Sequence, residues 1–130
     1  MSRYIFDASA AYEYLIRTPA GLKIDALIRG SIPVTADLMD IEVISIARRN
    51  VRLDLLSDER ASLLINSLND WPIERISAHG LASVIWSLRD NFSAYDAFYV
   101  AVATKTGGTL LTLDRKLVNG PNLPCPLTVF

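Results

Sequence analysis

The order of the β-prone runs constrains this chain more than any other feature. Short apolar stretches at 3–6, 33–35, 73–76, 109–113 and 127–130 are separated by one or two helix-patterned segments, with no tight hairpin turn joining consecutive runs. Strands spaced in this way pair in parallel through right-handed crossovers. The expected class is α/β, a three-layer α/β/α sandwich with a short, mainly parallel sheet. In such sheets the functional crevice lies beyond the carboxyl ends of the strands, so residues that follow the strands are the first to inspect.

The helical segments carry their own signals. Asp7-Ala-Ser-Ala-Ala opens a helix toward Ile16. Pro19 starts a second, on which Ile24, Leu27 and Ile28 share a face and which Gly30 ends. Thr35 is placed to cap a third helix running to about Arg49, with Asp37 in its first turn. Ser57 precedes a fourth, striped by Ala61, Leu64, Ile65 and Leu68 and broken at Trp71-Pro72. Leu81, Val84, Ile85 and Leu88 repeat that stripe. Ser93 caps a helix from Ala94 to about Lys105 that is apolar nearly all round, hence central and buried, and Gly107-Gly108 terminates it.

At 130 residues the chain has room for one domain, expected to span 1–130. No apolar run reaches the ~20 residues of a membrane span, and the N-terminus meets a carboxylate too early for a signal peptide. A soluble, cytoplasmic protein is expected. The lone Cys125, between two prolines, excludes an internal disulfide framework, and the lone His79 excludes a histidine metal site. Any metal must therefore bind carboxylates and water, which favours Mg2+ or Mn2+. Thirteen Lys and Arg balance fourteen Asp and Glu, yet if four carboxylates gather in one pocket, the other ten face thirteen cations. Ten of these are arginines, with Arg48, Arg49 and Arg52 close together, and guanidinium suits phosphate contacts.

Four acids stand out. Asp7 and Asp114 each follow a strand and precede a helical turn, which places both on the carboxyl-end rim, although Asp is also an ordinary helix N-cap. Asp96 lies three residues after Ser93, the capping-box offset. Glu42 falls mid-helix on a stripe with Leu38 and Ile41, flanked by Val43 and Ile46, where period alone calls for an apolar residue. A carboxylate there needs a cation, either an arginine such as Arg49 or a metal. Together the four can converge on one rim, and like charges so close need divalent ions to hold them. Such a site suits phosphoryl transfer. No Ser-His-Asp or Cys-His machinery, phosphate loop or dinucleotide fingerprint is present.

At these residues the chain resembles the PIN-domain ribonucleases, specifically the VapC-type toxins of bacterial type II toxin–antitoxin systems. The resemblance rests on Ile-Phe-Asp7-Ala-Ser-Ala, Asp-Ile-Glu42-Val, Ser-Ala-Tyr-Asp96-Ala-Phe-Tyr-Val-Ala-Val-Ala and Leu-Leu-Thr112-Leu-Asp114-Arg-Lys-Leu, in order along almost the whole chain. It implies Mg2+- or Mn2+-dependent endonucleolytic cleavage of RNA, a homodimer, and inhibition by a cognate antitoxin. Asp7, Glu42, Asp96 and Asp114 match the family's acidic quartet as catalytic and metal-binding residues, with Ser9 and Thr112 as accessory hydroxyls. Asp40 is an extra acid; helical spacing turns it about 200° from Glu42, outside the site.

Two other readings use the same residues. A phosphatase or phosphotransfer domain with Asp7 as nucleophile usually carries a second acid beside the first, whereas Ala8 and Ser9 supply none, and Lys105 and Lys116 show no clear aim at the rim. A non-catalytic module would use the acids as caps and ion-pair members and bind a basic partner segment. Divalent-ion binding separates this last reading from the enzymatic ones.

Overall fold

The structure, a computed structural model, describes residues 1–117 and 123–130. Strands β1 (Arg3–Phe6), β2 (Ile32–Ala36), β3 (Glu74–Ile76), β4 (Thr109–Thr112) and β5 (Leu127–Val129) form one sheet in the order β3-β2-β1-β4-β5. Every pairing is parallel, with Phe6 opposite Thr35 on one side and Leu111 on the other. The chain leaves central β1 toward β2 and β3, then returns to β1's other side with β4. The crevice between the ends of β1 and β4 is thus the topological switch point of the sheet.

Among the described residues six helices flank the sheet: α1 (Ala8–Ile16), α2 (Pro19–Leu27), α3 (Met39–Arg52), α4 (Asp58–Asp70), α5 (Ala82–Ser87) and α6 (Ala94–Thr106). Helix α6 packs on β1, β2 and β4, and α1 packs on β1 and β4 while gathering α2, α3 and α4 around it. This is the α/β/α sandwich expected from the strand order. Seven consecutive residues of α6, Ala97 to Ala103, are buried, in keeping with its all-round apolar pattern. Phe6 meets Tyr14 and Trp71 edge-on at 5.4 and 5.1 Å, which ties β1, α1 and the end of α4 into one aromatic cluster. Gly21 is where α2 crosses α1: a Cβ there would lie 1.9 Å from the Glu13 carbonyl oxygen.

Several local expectations are corrected. Thr35 does not cap α3. It belongs to β2, fully buried, and its Oγ1 donates to the Phe6 carbonyl at 2.7 Å. Helix α3 begins only at Met39, after Leu38 in an N-cap position without a side-chain cap, so Asp37 precedes it. Strand pairing won because a buried hydroxyl needs a partner and the neighbouring strand end offers one. The core-facing stripe of α3 is Met39, Val43 and Ala47, not the one through Leu38 and Ile41; Ile41 is 66% exposed. Leu27 and Val84, expected on buried faces, are also exposed.

Candidate active site

Asp7 ends β1 and begins α1. Its backbone is extended, as an N-cap requires, and Oδ1 accepts from the Ala10 amide at 2.8 Å. The same Oδ1 accepts from Ser9 Oγ at 2.6 Å, and Oδ2 accepts from Thr112 Oγ1. Thr112 is the last residue of β4 and fully buried, and its Oγ1 also accepts the Asp114 amide at 2.9 Å. Ser9 Oγ in turn accepts the Leu113 amide at 2.9 Å. The two strand ends are thus laced together by Asp7 and two hydroxyls. Capping and a place on the rim, alternatives in the sequence, coexist at Asp7.

Asp96 sits in the first turn of α6, whose N-cap Ser93 accepts the Asp96 amide at 3.2 Å. Asp114 follows β4 and starts a short 3-10 turn, Arg115–Leu117, accepting the Lys116 amide at 2.9 Å. Glu42, half-buried on α3, finds neither an arginine nor another side-chain cation among the described residues. Its Oε1 accepts a 2.5 Å hydrogen bond from Tyr99 Oη on α6. The periodicity of α6 hid this tyrosine, since it reads as one more apolar core position. Its signal is the hydroxyl, which a buried tyrosine must satisfy.

The acids feel one another. Burial pushes the Asp7 carboxyl up to about 6, with the Ser9, Thr112 and Ala10 donors opposing and the negative charge of Asp96 adding to the rise. Asp96 is raised by desolvation and then by Asp114, against the Ser93 hydroxyl and the charge of Lys116. The charge of Lys116 is felt at Asp96, but the side chain makes no ion pair with any of the four acids among the described residues. Tyr99 is raised by burial, by its bond to Glu42, and by the charges of Glu42, Asp7 and Asp96. All four acids thus share one electrostatic neighbourhood. They do not form a ready-made cage: among the described residues no three metal-ligating side chains are placed to hold one ion together. Asp40 stands apart, gripped by Arg75 through both carboxylate oxygens at 2.7 and 2.9 Å.

The PIN domain family model matches residues 4–121, from β1 through all four acids. This chain belongs to the PIN-domain family. Within that family it is 34% identical over 130 residues to Ribonuclease VapC1 of Mycobacterium tuberculosis, covering 98% of this chain and 97% of that one. VapC ribonuclease Mb0985 of Mycobacterium bovis is 33% identical over 125 residues, covering 96% of both chains. In fold, the PIN domain superposes with TM-score 0.67 on PAE2754 from Pyrobaculum aerophilum, at 20% identity, covering 97% of this chain and 83% of that one. The crystal structure of VapBC2 from Rickettsia felis, bound to a promoter DNA fragment, gives 0.66 at 12% identity, with 98% of both chains covered.

The donor set of this PIN domain fits a hard divalent ion. All candidate ligands are carboxylate oxygens, and Asp7, 8% exposed, has no cationic partner among the described residues. An ionised carboxylate has about four lone-pair sites. Three of those on Asp7 are filled by Ser9, Ala10 and Thr112, which leaves room on Oδ2 for one further ligand. With the acids spread around the rim, most of an ion's coordination would come from water. A groove of about 780 Å3, lined by Leu38, Ile41, Ile85, Trp86 and Tyr95 with Asp37 and Arg89, is mostly apolar and contains none of the four acids.

Proposed function

We propose that this chain, as a single PIN-like domain over 1–130, is a metal-dependent endoribonuclease and the toxin of a toxin–antitoxin pair. The observation that carries the proposal is the buried, uncompensated Asp7, set beside Asp96 and in turn Asp114 at the switch point of the sheet. The ribonuclease relatives support it. Asp7, Glu42, Asp96 and Asp114 would hold Mg2+ or Mn2+, with Ser9 and Thr112 as accessory residues. Such an ion lowers the pKa of bound water and neutralises charge on a phosphodiester.

The chain's own residues do the positioning. Ser9, the Ala10 amide and Thr112 fix both oxygens of Asp7 and favour its charged form, while burial opposes that form. Tyr99 fixes the Glu42 carboxylate and leaves its other oxygen for a water or an ion. In the hydrolysis a water oxygen bonds to phosphorus and its proton passes to solvent or a rim carboxylate, while the bond from phosphorus to the ribose oxygen breaks and that oxygen takes up a proton from solvent to leave as a hydroxyl. A covalent phosphotransfer through Asp7 is disfavoured, because Ala8 and Ser9 supply no second acid beside it.

A cognate antitoxin is the expected inhibitor, supported by the fold shared with VapBC complexes. A basic segment of that antitoxin would place a guanidinium among the uncompensated carboxylates, where it substitutes for the metal charge. A homodimer and a cytoplasmic location complete the reading, and no helix among the described residues is long and apolar enough to cross a membrane. The decisive experiment is cleavage of RNA with Mg2+ or Mn2+, with excess EDTA, and by Asp96→Asn. Cleavage is expected only from the native sequence with metal; equal cleavage in EDTA or by the variant overturns the proposal.

A further inference from the structure

A nuclease whose reaction centre gathers carboxylates repels the phosphates it must bind, so its affinity for a polyanion has to come from elsewhere on the surface. Helix α3 supplies the means. Glu42, on the flank that meets Tyr99 of α6, marks the side of α3 that faces the acidic rim. Arg49 lies seven residues further, about 20° short of two full turns, and so shares that flank at about 10 Å along the axis. Arg52 is about 15 Å from Glu42 along the same helix, and Arg48 stands on the adjoining face. Arg48, Arg49 and Arg52 are exposed and line a groove of about 530 Å3 with Ser45, Ile46 and Leu53.

Among the described residues none of the three makes an ion pair or a side-chain hydrogen bond within the fold. The ion pairs among the described residues are Asp25–Arg29 and Asp40–Arg75. Arg49 and Arg52 lie in the last turn of α3, where a cation complements the helix dipole. That role needs one positive charge of any kind. It does not call for three planar guanidinium groups around a polar groove, a set suited to phosphate oxygens.

Resting on the nuclease reading, we propose that Arg48, Arg49 and Arg52 form a phosphate-binding track. It holds a stretch of RNA backbone beside the segment being cut, and α3 is the ruler between the two. Each arginine that displaces counterions contributes about 0.7 to the slope of log affinity against log salt for a single strand.

The test uses fluorescence anisotropy of a labelled single-stranded RNA, with the track substitutions introduced into Asp96→Asn to prevent cleavage. Replacing all three arginines with alanine is expected to weaken binding tenfold or more at low salt and to lower the slope by about 2. Replacing them with lysine should restore most of the slope. In the active protein the same alanine changes should raise KM more than they lower kcat, with a penalty that grows with substrate length. Unchanged affinity and slope in a protein that still cleaves RNA overturn the track and leave the nuclease reading standing. Retained RNA binding with lost binding to purified antitoxin also overturns it, and assigns the arginines to a protein partner. A native protein that cleaves no RNA removes the nuclease reading, and the track with it. Thermal melts confirm that each variant is folded.

Discussion

Tyr99 Oη donates to Glu42 Oε1 at 2.5 Å, joining α6 to α3 across the acidic rim. A carboxylate on α3 that calls for an arginine or a metal has no arginine beside it among the described residues and is held by a neutral hydroxyl. This bond orients Glu42 without neutralising it, which keeps its charge available. Tyr99→Phe should therefore weaken Mn2+ binding and cleavage by about 10- to 100-fold, the usual effect of losing an outer partner of a metal ligand. The loss of stability should be modest, about 1 kcal/mol, because the freed Glu42 oxygen can reach water. Calorimetric titration with Mn2+ separates the two effects: a lower melting temperature with unchanged metal affinity would make Tyr99 merely structural.

Asp7 links the site to pH. Its folded value of about 6 lies above the 3.8 of an unperturbed aspartate, burial being the main cause. The folded state therefore binds more protons than the unfolded state between these values. Its contribution to stability is fully present below 3.8 and is lost as pH rises through 6. The accumulated penalty above pH 6 is on the order of 3 kcal/mol, at 1.36 kcal/mol per unit. In EDTA, Asp7→Asn should gain on the native protein as pH rises from 4 to about 6.5 and hold its advantage above that. Parallel melting curves across that range would show that Asp7 is not the group responsible.

Thr112 is the largest single lever on that aspartate from the opposite strand. Thr112→Val keeps the shape, removes the donor to Oδ2 and strips the Asp114 amide of its acceptor. The Asp7 carboxyl should rise further, so the acid limb of the cleavage profile should move to higher pH. Stability should fall by about 1–3 kcal/mol for the unsatisfied buried groups. Thr112→Ser should restore the native profile, and failure to do so would point to the methyl group rather than the hydrogen bond.

Much of this architecture was legible in the residues, and the exceptions share a cause. Strand spacing and missing hairpins revealed the parallel sandwich, because these depend on local pattern and chain connectivity alone. Asp7, Asp96 and Asp114 were visible because each sits where a strand ends or a helix begins. Thr35 was misread because capping and strand pairing offer the same hydroxyl an equally local partner, and only the position of Phe6 decides between them. The Glu42–Tyr99 bond spans 57 residues and joins two helices whose relative placement no periodicity encodes. The effect of the Lys116 charge on Asp96 was hidden for the same reason: it depends on how the turn after β4 meets α6.

Packing between α1 and α2 makes a prediction independent of the chemistry. Gly21→Ala puts a methyl group 1.9 Å from the Glu13 carbonyl oxygen, against backbone rather than a movable side chain, so the helices must separate. A loss of about 1–3 kcal/mol is expected from such overpacking. Denaturant titration measures it. Unchanged stability would mean that α2 shifts freely on α1.

The Asp96 carboxyl is raised by desolvation and by Asp114. Its folded value lies above the unfolded one, so without metal its contribution to stability is greatest below the unfolded value and declines as pH rises through the folded value. Asp96→Asn removes that charge, and in EDTA the variant should be the more stable protein at pH 8, with a smaller advantage at pH 5. Mg2+ should reverse the ranking. An ion that binds only the folded state stabilises it by about 2.7 kcal/mol at a hundred times its dissociation constant, and the variant, short of a ligand, gains little. Four melting curves for each protein, at two pH values with Mg2+ or EDTA, decide the matter. A difference between the proteins that ignores both metal and pH would reduce Asp96 to a first-turn helix residue, and the acidic rim would lose its claim to hold an ion.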